Sequence, residues 1–204
     1  MSKSSRPISS TQRESVSVHD LKPITALGGS DPVVETIASV TLSEVTNLAL
    51  ASVAARHGQE KGCEKALKKL LGNTAPGPGM ALLAQPFSAV WMGPEQWMIG
   101  ADFATHEDIA EIVKAAMGDT ASVTEQTDAW AGFDLSGAKI DAVMELLCPI
   151  NMRDFPAGSA TRTSIHHLGC FVISGGAEFV RILGPRASAG SLHHAIHTAM
   201  RSAL

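Results

Sequence analysis

The apolar positions of this chain change period several times, and each change marks an element. Leu48 to Ala54 alternates like a half-buried strand. The stripe Cys63, Ala66, Leu67, Leu70 and Leu71 then falls at helical spacing and is closed by Gly72. Asn73 to Met80 holds two prolines and two glycines, which defeat both a helix and a ladder and predict a loop. Phe87 to Met92 and Trp97 to Ala101 read as a hairpin turning at Gly93-Pro94-Glu95-Gln96, followed by a helix to Met117 that Thr105 and Asp108 are placed to cap. Ala129 to Leu135 is again a strand. Ser136-Gly137 turns the chain into a helix striped by Ile140, Val143, Met144 and Leu147, and Pro149 ends it. After a loop from Asn151 to Ser159, strands are predicted near Thr161 to His166, Cys170 to Ile173 and Glu178 to Leu183, then a last helix.

The pattern is said nearly twice. Phe87 to Met117 and Cys170 to Met200 share the order strand, turn, strand, amphipathic helix, and Ile109, Ile112, Val113, Ala116 and Met117 align with Leu192, Ala195, Ile196, Ala199 and Met200. Each half reads βαββα or close to it, and the extra strand near Thr161 is what the first half offers least clearly. The fold class predicted is α+β, with duplicated ferredoxin-like (βαββα) halves whose helices pair on one face of their sheets. Residues 41–122 form the first half and 123–204 the second, in one compact duplicated domain. Residues 1–40, rich in serine, proline and glycine without a sustained period, read as an extended, partly disordered arm that lies on a partner.

Composition narrows the function classes. The chain has 204 residues, 45% of them hydrophobic, enough for a substantial core. Its longest apolar stretch, Leu48 to Ala55, is far short of a membrane span, and the first 19 residues lack the apolar core of a secretory signal. The net charge is −4, and the basic residues are scattered, so the phosphate-neutralising stripe of a nucleic-acid binder is missing. Cys63, Cys148 and Cys170 lie far apart with no CxxC, which fits a reducing cytoplasm and packing roles for the thiols.

Few residues offer chemistry. His193 and His197 stand four apart on one helix face and could hold a metal, but no glutamate follows His193 as HExxH demands and no third ligand is evident; a solvated face is the reading preferred. His166 and His167, adjacent at a strand end, are expected on opposite faces with a structural or interface role. Gly175-Gly176 and the Gly93 turn do not follow the strand, loop, helix order of a phosphate cradle. Trp91 and Trp97 flank the first hairpin turn, where core burial and a partner-covered surface are both open; Trp130 lies in a later strand. Arg162 could pair with a carboxylate across the halves or on a partner. No catalytic, cofactor-binding or metal-binding residue is assigned.

Several segments, in order, carry a family likeness. Thr124 to Leu147 (TEQTDAWAGFDLSGAKIDAVMELL), with Asp128, Leu135, Gly137 and Ala138, resembles the start of the second half in the glycine-cleavage T-protein family of folate-dependent aminomethyltransferases. Leu48 to Gln59, Pro76 to Gly79, Gly93 to Trp97, Val123 to Trp130, Leu147 to Met152 and Phe155 to Ile165 together resemble the gamma subunits of heterotetrameric sarcosine oxidases, from about Leu42 to the C-terminus. The resemblance implies a non-catalytic, cytoplasmic subunit that binds no cofactor of its own and assembles with alpha, beta and delta subunits. Those partners would carry FAD, FMN, NAD and tetrahydrofolate, and the complex would oxidise sarcosine to glycine, pass the one-carbon unit to tetrahydrofolate and release hydrogen peroxide. The corresponding subunit of an N-methylglutamate dehydrogenase is the alternative, and a stand-alone folate-binding protein a further one. Where aminomethyltransferases have acidic residues ahead of the hairpin strand, this chain has Gln85-Pro86-Phe87-Ser88, which removes the carboxylate expected to handle the donor's proton. A free-standing metal-binding protein using His193 and His197 is the reading from another class.

Overall fold

The computed structural model describes residues 22–204. Among the described residues, eleven strands form two antiparallel sheets, accompanied by four α-helices. The first sheet contains β3 (Leu48–Ala55), β4 (Ala81–Leu82), β5 (Ser88–Gly93), β6 (Gln96–Asp102) and β7 (Ala121–Glu125), in the order β4-β5-β6-β3-β7. The second contains β1 (Val34–Ile37), β2 (Val40–Val45), β8 (Trp130–Gly137), β9 (Ala160–Ile165), β10 (Leu168–Gly176) and β11 (Phe179–Pro185), in the order β1-β2-β8-β11-β10-β9. The helices are α1 (Glu60–Leu71), α2 (Ile109–Met117), α3 (Ile140–Leu147) and α4 (Ala189–Ala203).

Alternation along each strand sends side chains to two different cores. Ala49, Ala51, Val53, Trp97 and Ile99 face α1 and α2, where Cys63, Leu67, Ile109 and Val113 meet them. Leu42, Phe133, Leu135, Val172 and Ile182 face α3 and α4, against Ile140, Met144, Leu192 and Ile196. The opposite faces meet each other, with Leu50, Val90, Met98, Phe171, Ile173 and Leu183 between the sheets. The result is four layers, helix, sheet, sheet, helix. Three separate apolar clusters are stabilised by burial, each fully buried large side chain contributing about 1.5–3 kcal/mol.

Most sequence-predicted elements stand within a residue or two of their places. Gly72 ends α1 in the left-handed conformation, φ 65°. Strand β4 supplies the extra strand that the first half hid, because it is only two residues long. Other expectations change. Residues 1–21 of the expected arm lie outside the described residues, but 34–37 are β1 and residues 22–33 are fastened, since Glu44 accepts from the Leu27 and Val33 amides at 2.9 and 3.1 Å. The sheets also cross the expected boundaries: β2, placed in the first half, pairs with β8, and β7 pairs with β3. Asp108 occupies the α2 cap position without a side-chain cap bond, and the Thr105 hydroxyl donates instead to the Asp102 carbonyl at 3.3 Å. Ile112 is exposed, so α2 buries the narrower stripe Ile109, Val113 and Met117.

The candidate functional site between the sheets

The intersheet layer is not filled throughout. Three connected lobes open along it, with volumes of about 190, 410 and 230 Å³, and all three are lined by Leu48. Close approach of backbone shapes this cleft: a Cβ on Gly100 would lie 2.8 Å from Ser88 Oγ, and one on Gly132 would lie 3.0 Å from Val45 Cβ. The 230 Å³ lobe has mainly apolar walls, from Leu48, Leu50, Val90, Met98, Ile173 and Leu183, whereas Asn47, Gln85, Ser88, Asp102 and Arg181 line the 410 Å³ lobe.

Polar groups enter the cleft because strand alternation places them there. Asp134 stands between Phe133 and Leu135, and Arg181 between Val180 and Ile182; the apolar neighbours face the helices, so the charged pair faces the other sheet. The two residues are register partners and form a bidentate pair, with Arg181 Nε to Asp134 Oδ1 at 2.7 Å and Nη2 to Oδ2 at 2.8 Å. Trp130 lines the smallest lobe, packs edge-on against Phe171 with centroids 5.5 Å apart, and its buried Nε1 has no hydrogen-bond partner. Asp128, at the same lobe, is 3.9 Å from Arg186 and well exposed. The Thr127 hydroxyl is engaged by the Leu50 amide at 3.0 Å. Gln85 and Pro86 sit at the mouth of the largest lobe, Ser88 Oγ donates to the Gly100 carbonyl at 3.1 Å, and Phe87 is buried against His106. This cleft is built to hold an elongated apolar or planar molecule with a hydrogen-bond acceptor at one end. Asp134, held at both oxygens by Arg181, does not itself line the lobes; Arg181 does, with Asp102 on the largest lobe and Asp128 on the smallest.

The residues singled out by sequence do not converge on this cleft. His193 and His197 are not simply solvated: their Nε2 atoms lie 3.4 and 3.6 Å from one oxygen of Glu35, which β1 brings to α4. Their rings stack at 15° with centroids 6.2 Å apart, and no group of three ligands able to hold a metal occurs among the described residues. His166 and His167 are not at a strand end on opposite faces. They form the two-residue turn between paired Ile165 and Leu168, both at positive φ, 48° and 66°. Arg162 pairs with no carboxylate among the described residues; its guanidinium lies over the Phe171 ring at 5.7 Å. All three cysteines are buried and unpaired. Burial pushes the Cys63 and Cys170 thiols up to about 11, and raises Cys148 as well. The Arg181 and Asp134 pair was missed, although a lone charge between apolar residues in each strand was the available signal.

Two solved structures resemble this arrangement. One chain of the heterotetrameric sarcosine oxidase from Corynebacterium sp. U-96, crystallised with pyrrole 2-carboxylate, matches over 80% of this chain and 84% of its own, with a TM-score of 0.68 at 21% identity. This chain has the fold of that sarcosine oxidase chain. The glycine cleavage system aminomethyltransferase T from Bartonella henselae matches over 78% of this chain with a TM-score of 0.56 at 12% identity, but this chain spans only 45% of its length. No protein-family model matches, and no curated protein matches in sequence. The likeness to the sarcosine oxidase chain and to the aminomethyltransferase is one of fold: α+β, with two antiparallel sheets and four helices. No helix among the described residues is long and apolar enough to cross a membrane.

Proposed function

We propose that this protein is the gamma subunit of a heterotetrameric sarcosine oxidase, a non-catalytic chain that stabilises the assembly. The observation that carries this reading is the mutual coverage with the sarcosine oxidase chain, 80% and 84%, against 45% of the aminomethyltransferase. Under this reading alpha, beta and delta subunits surround the chain in the cytoplasm, and FAD, FMN, NAD and tetrahydrofolate belong to them. The three free cysteines accord with a reducing compartment. The two sheets accord with a duplicated ferredoxin-like unit, because β3-α1-β4-β5-β6-α2 and β8-α3-β9-β10-β11-α4 run in the same order with the same strand neighbours.

Purification of the tagged chain, expressed with its neighbouring genes, tests this by mass spectrometry and a visible absorption spectrum. A yellow, flavin-bearing complex that oxidises sarcosine is expected; a colourless single chain overturns the reading. Oxidation of N-methylglutamate in place of sarcosine would move the chain to the related dehydrogenase. A second reading, a stand-alone folate-binding protein, is favoured by the unpartnered Trp130 Nε1 at an apolar cleft, which suits a planar ligand with a carbonyl acceptor. It requires the isolated chain to bind tetrahydrofolate by calorimetry.

A further inference from the structure

Away from the cleft, on the outer side of the first sheet, lies a groove of about 690 Å³. Its floor is a pair of indoles. Trp91 and Trp97 are register partners across the β5-β6 hairpin, so their side chains stand on the same face. They differ in fate: Trp97 is 6% exposed and donates its Nε1 hydrogen to the Pro76 carbonyl at 2.9 Å, while Trp91 is half-buried and lines the open groove. One wall is the loop carrying Pro76 and Pro78. The other is helix α1, whose exposed Lys61, Lys65 and Lys68 recur at intervals of four and three, on one helical face.

Each part of the groove asks for something different. An indole left partly open beside rigid prolines is suited to an apolar anchor, and loses little conformational entropy when covered. Three lysines on one wall ask for carboxylates, and they stand out on a protein whose net charge is −4. Glu64 and Glu95 also border the groove. They repel a second acidic group and thereby fix which way round a charged segment can lie. A neutral or basic occupant would leave the lysine wall facing its own kind or nothing.

We propose that this groove docks an acidic segment of a partner chain that presents one aromatic anchor to Trp91 and its carboxylates to Lys61, Lys65 and Lys68. The proposal gives the accessory subunit a place of attachment, and rests on that reading only for the identity of the partner.

The test uses the whole purified chain and a synthetic acidic peptide of alternating glutamate and aspartate with one central phenylalanine, followed by tryptophan fluorescence. Saturable quenching is expected, with affinity at least about tenfold weaker for the same peptide carrying glycine in place of phenylalanine. The Trp91→Phe variant should lose most of the signal. The combined Lys61→Glu, Lys65→Glu and Lys68→Glu variant should lose binding while keeping its native circular dichroism below the transition, with a lower thermal midpoint because the changes put acids beside Glu60 and Glu64 and in the last turn of α1. No saturation by about 1 mM peptide, or undiminished binding by the charge-reversed variant, overturns the proposal. Equal binding of the glycine peptide also overturns it, by showing charge attraction without an anchor. Co-purification of the wild-type chain with flavin-bearing partners is independent of these results, so the docking site can fail while the accessory-subunit reading stands.

Discussion

The two halves of the molecule reach the same five-strand arrangement by different routes. In the first, β7 follows α2 directly and pairs with β3, so all five strands come from one continuous segment. In the second, the equivalent place beside β8 is taken by β2, which precedes the entire first half in sequence, and β1 is added outside it. The chain therefore closes on itself: its early residues complete the sheet formed by its last ones. The first half is a local structure, and the second depends on pairing across roughly 90 residues, whose loop-closure cost must be met by the contacts β2 makes.

Glycine substitutions should separate the halves most strongly. At Gly137, where φ is 118°, a Cβ would lie 2.0 Å from the Ser39 carbonyl oxygen, at the turn between β1 and β2. Backbone on both sides leaves nothing able to yield, so Gly137→Ala should cost about 4 kcal/mol or more, with loss of β2 pairing. Gly100→Ala in the first sheet meets Ser88 Oγ at 2.8 Å, a hydroxyl that can rotate away, and should cost only about 1 kcal/mol. Urea unfolding midpoints measure both. A Gly100 variant as damaged as the Gly137 variant would show that the intersheet layer, and not the early strands, controls stability.

Glu44 should give an intermediate effect confined to one region. It is 5% exposed and each carboxylate oxygen accepts one backbone amide, from Leu27 and Val33. Glu44→Gln turns one acceptor into a donor facing an amide hydrogen, at a cost of about 2 kcal/mol. Hydrogen exchange should quicken at Leu27, Val33 and β1, and remain unchanged in β3 and β6. Uniform acceleration across both sheets would mean that the halves open together.

What was legible in the sequence follows the same division. Helix stripes and hairpins were readable because their signals are local: Cys63, Leu67 and Leu71 are buried at helical spacing, and Gly72 takes the positive φ that ends α1. Strands β1 and β2 were not, because Val34 to Val45 is short, alternates cleanly only over Val40 to Ser43 before the buried Glu44 breaks the pattern, and lies beyond a proline and glycine run that resembles an arm. β2 takes β8 as its second partner, which no local period reveals. The same holds for the polar groups. Glu35 lies far in sequence from His193 and His197, and Asp134 from Arg181, so each constellation exists only once the sheet is assembled. The paired tryptophans, for which the sequence left core and partner-covered surface both open, divide in the structure: Trp97 is buried and Trp91 borders the outer groove.

The smallest effect is a difference in thiol reactivity, and it offers the finest resolution. Cys63 lies on the buried face of α1 in the first half and Cys170 on β10 in the second; both are fully buried, with thiols raised to about 11 chiefly by burial. For Cys63 the negative charges of Glu95 and Glu64 add to that rise, whereas for Cys170 a backbone hydrogen bond from Ile165 opposes it. A raised thiol pKa favours the protonated folded state, so its stabilisation is complete below the unfolded value of about 8.5 and is lost as pH climbs toward 11. Near pH 8 neither thiol should react with a disulfide reagent except through opening, and the labelling rate then reports the stability of the half that contains it. Cys170 should label faster than Cys63 in the Glu44→Gln variant, while Cys63 keeps its wild-type rate. If both rates rise together, the intersheet layer couples the halves into one cooperative unit, and the early strands serve the whole molecule.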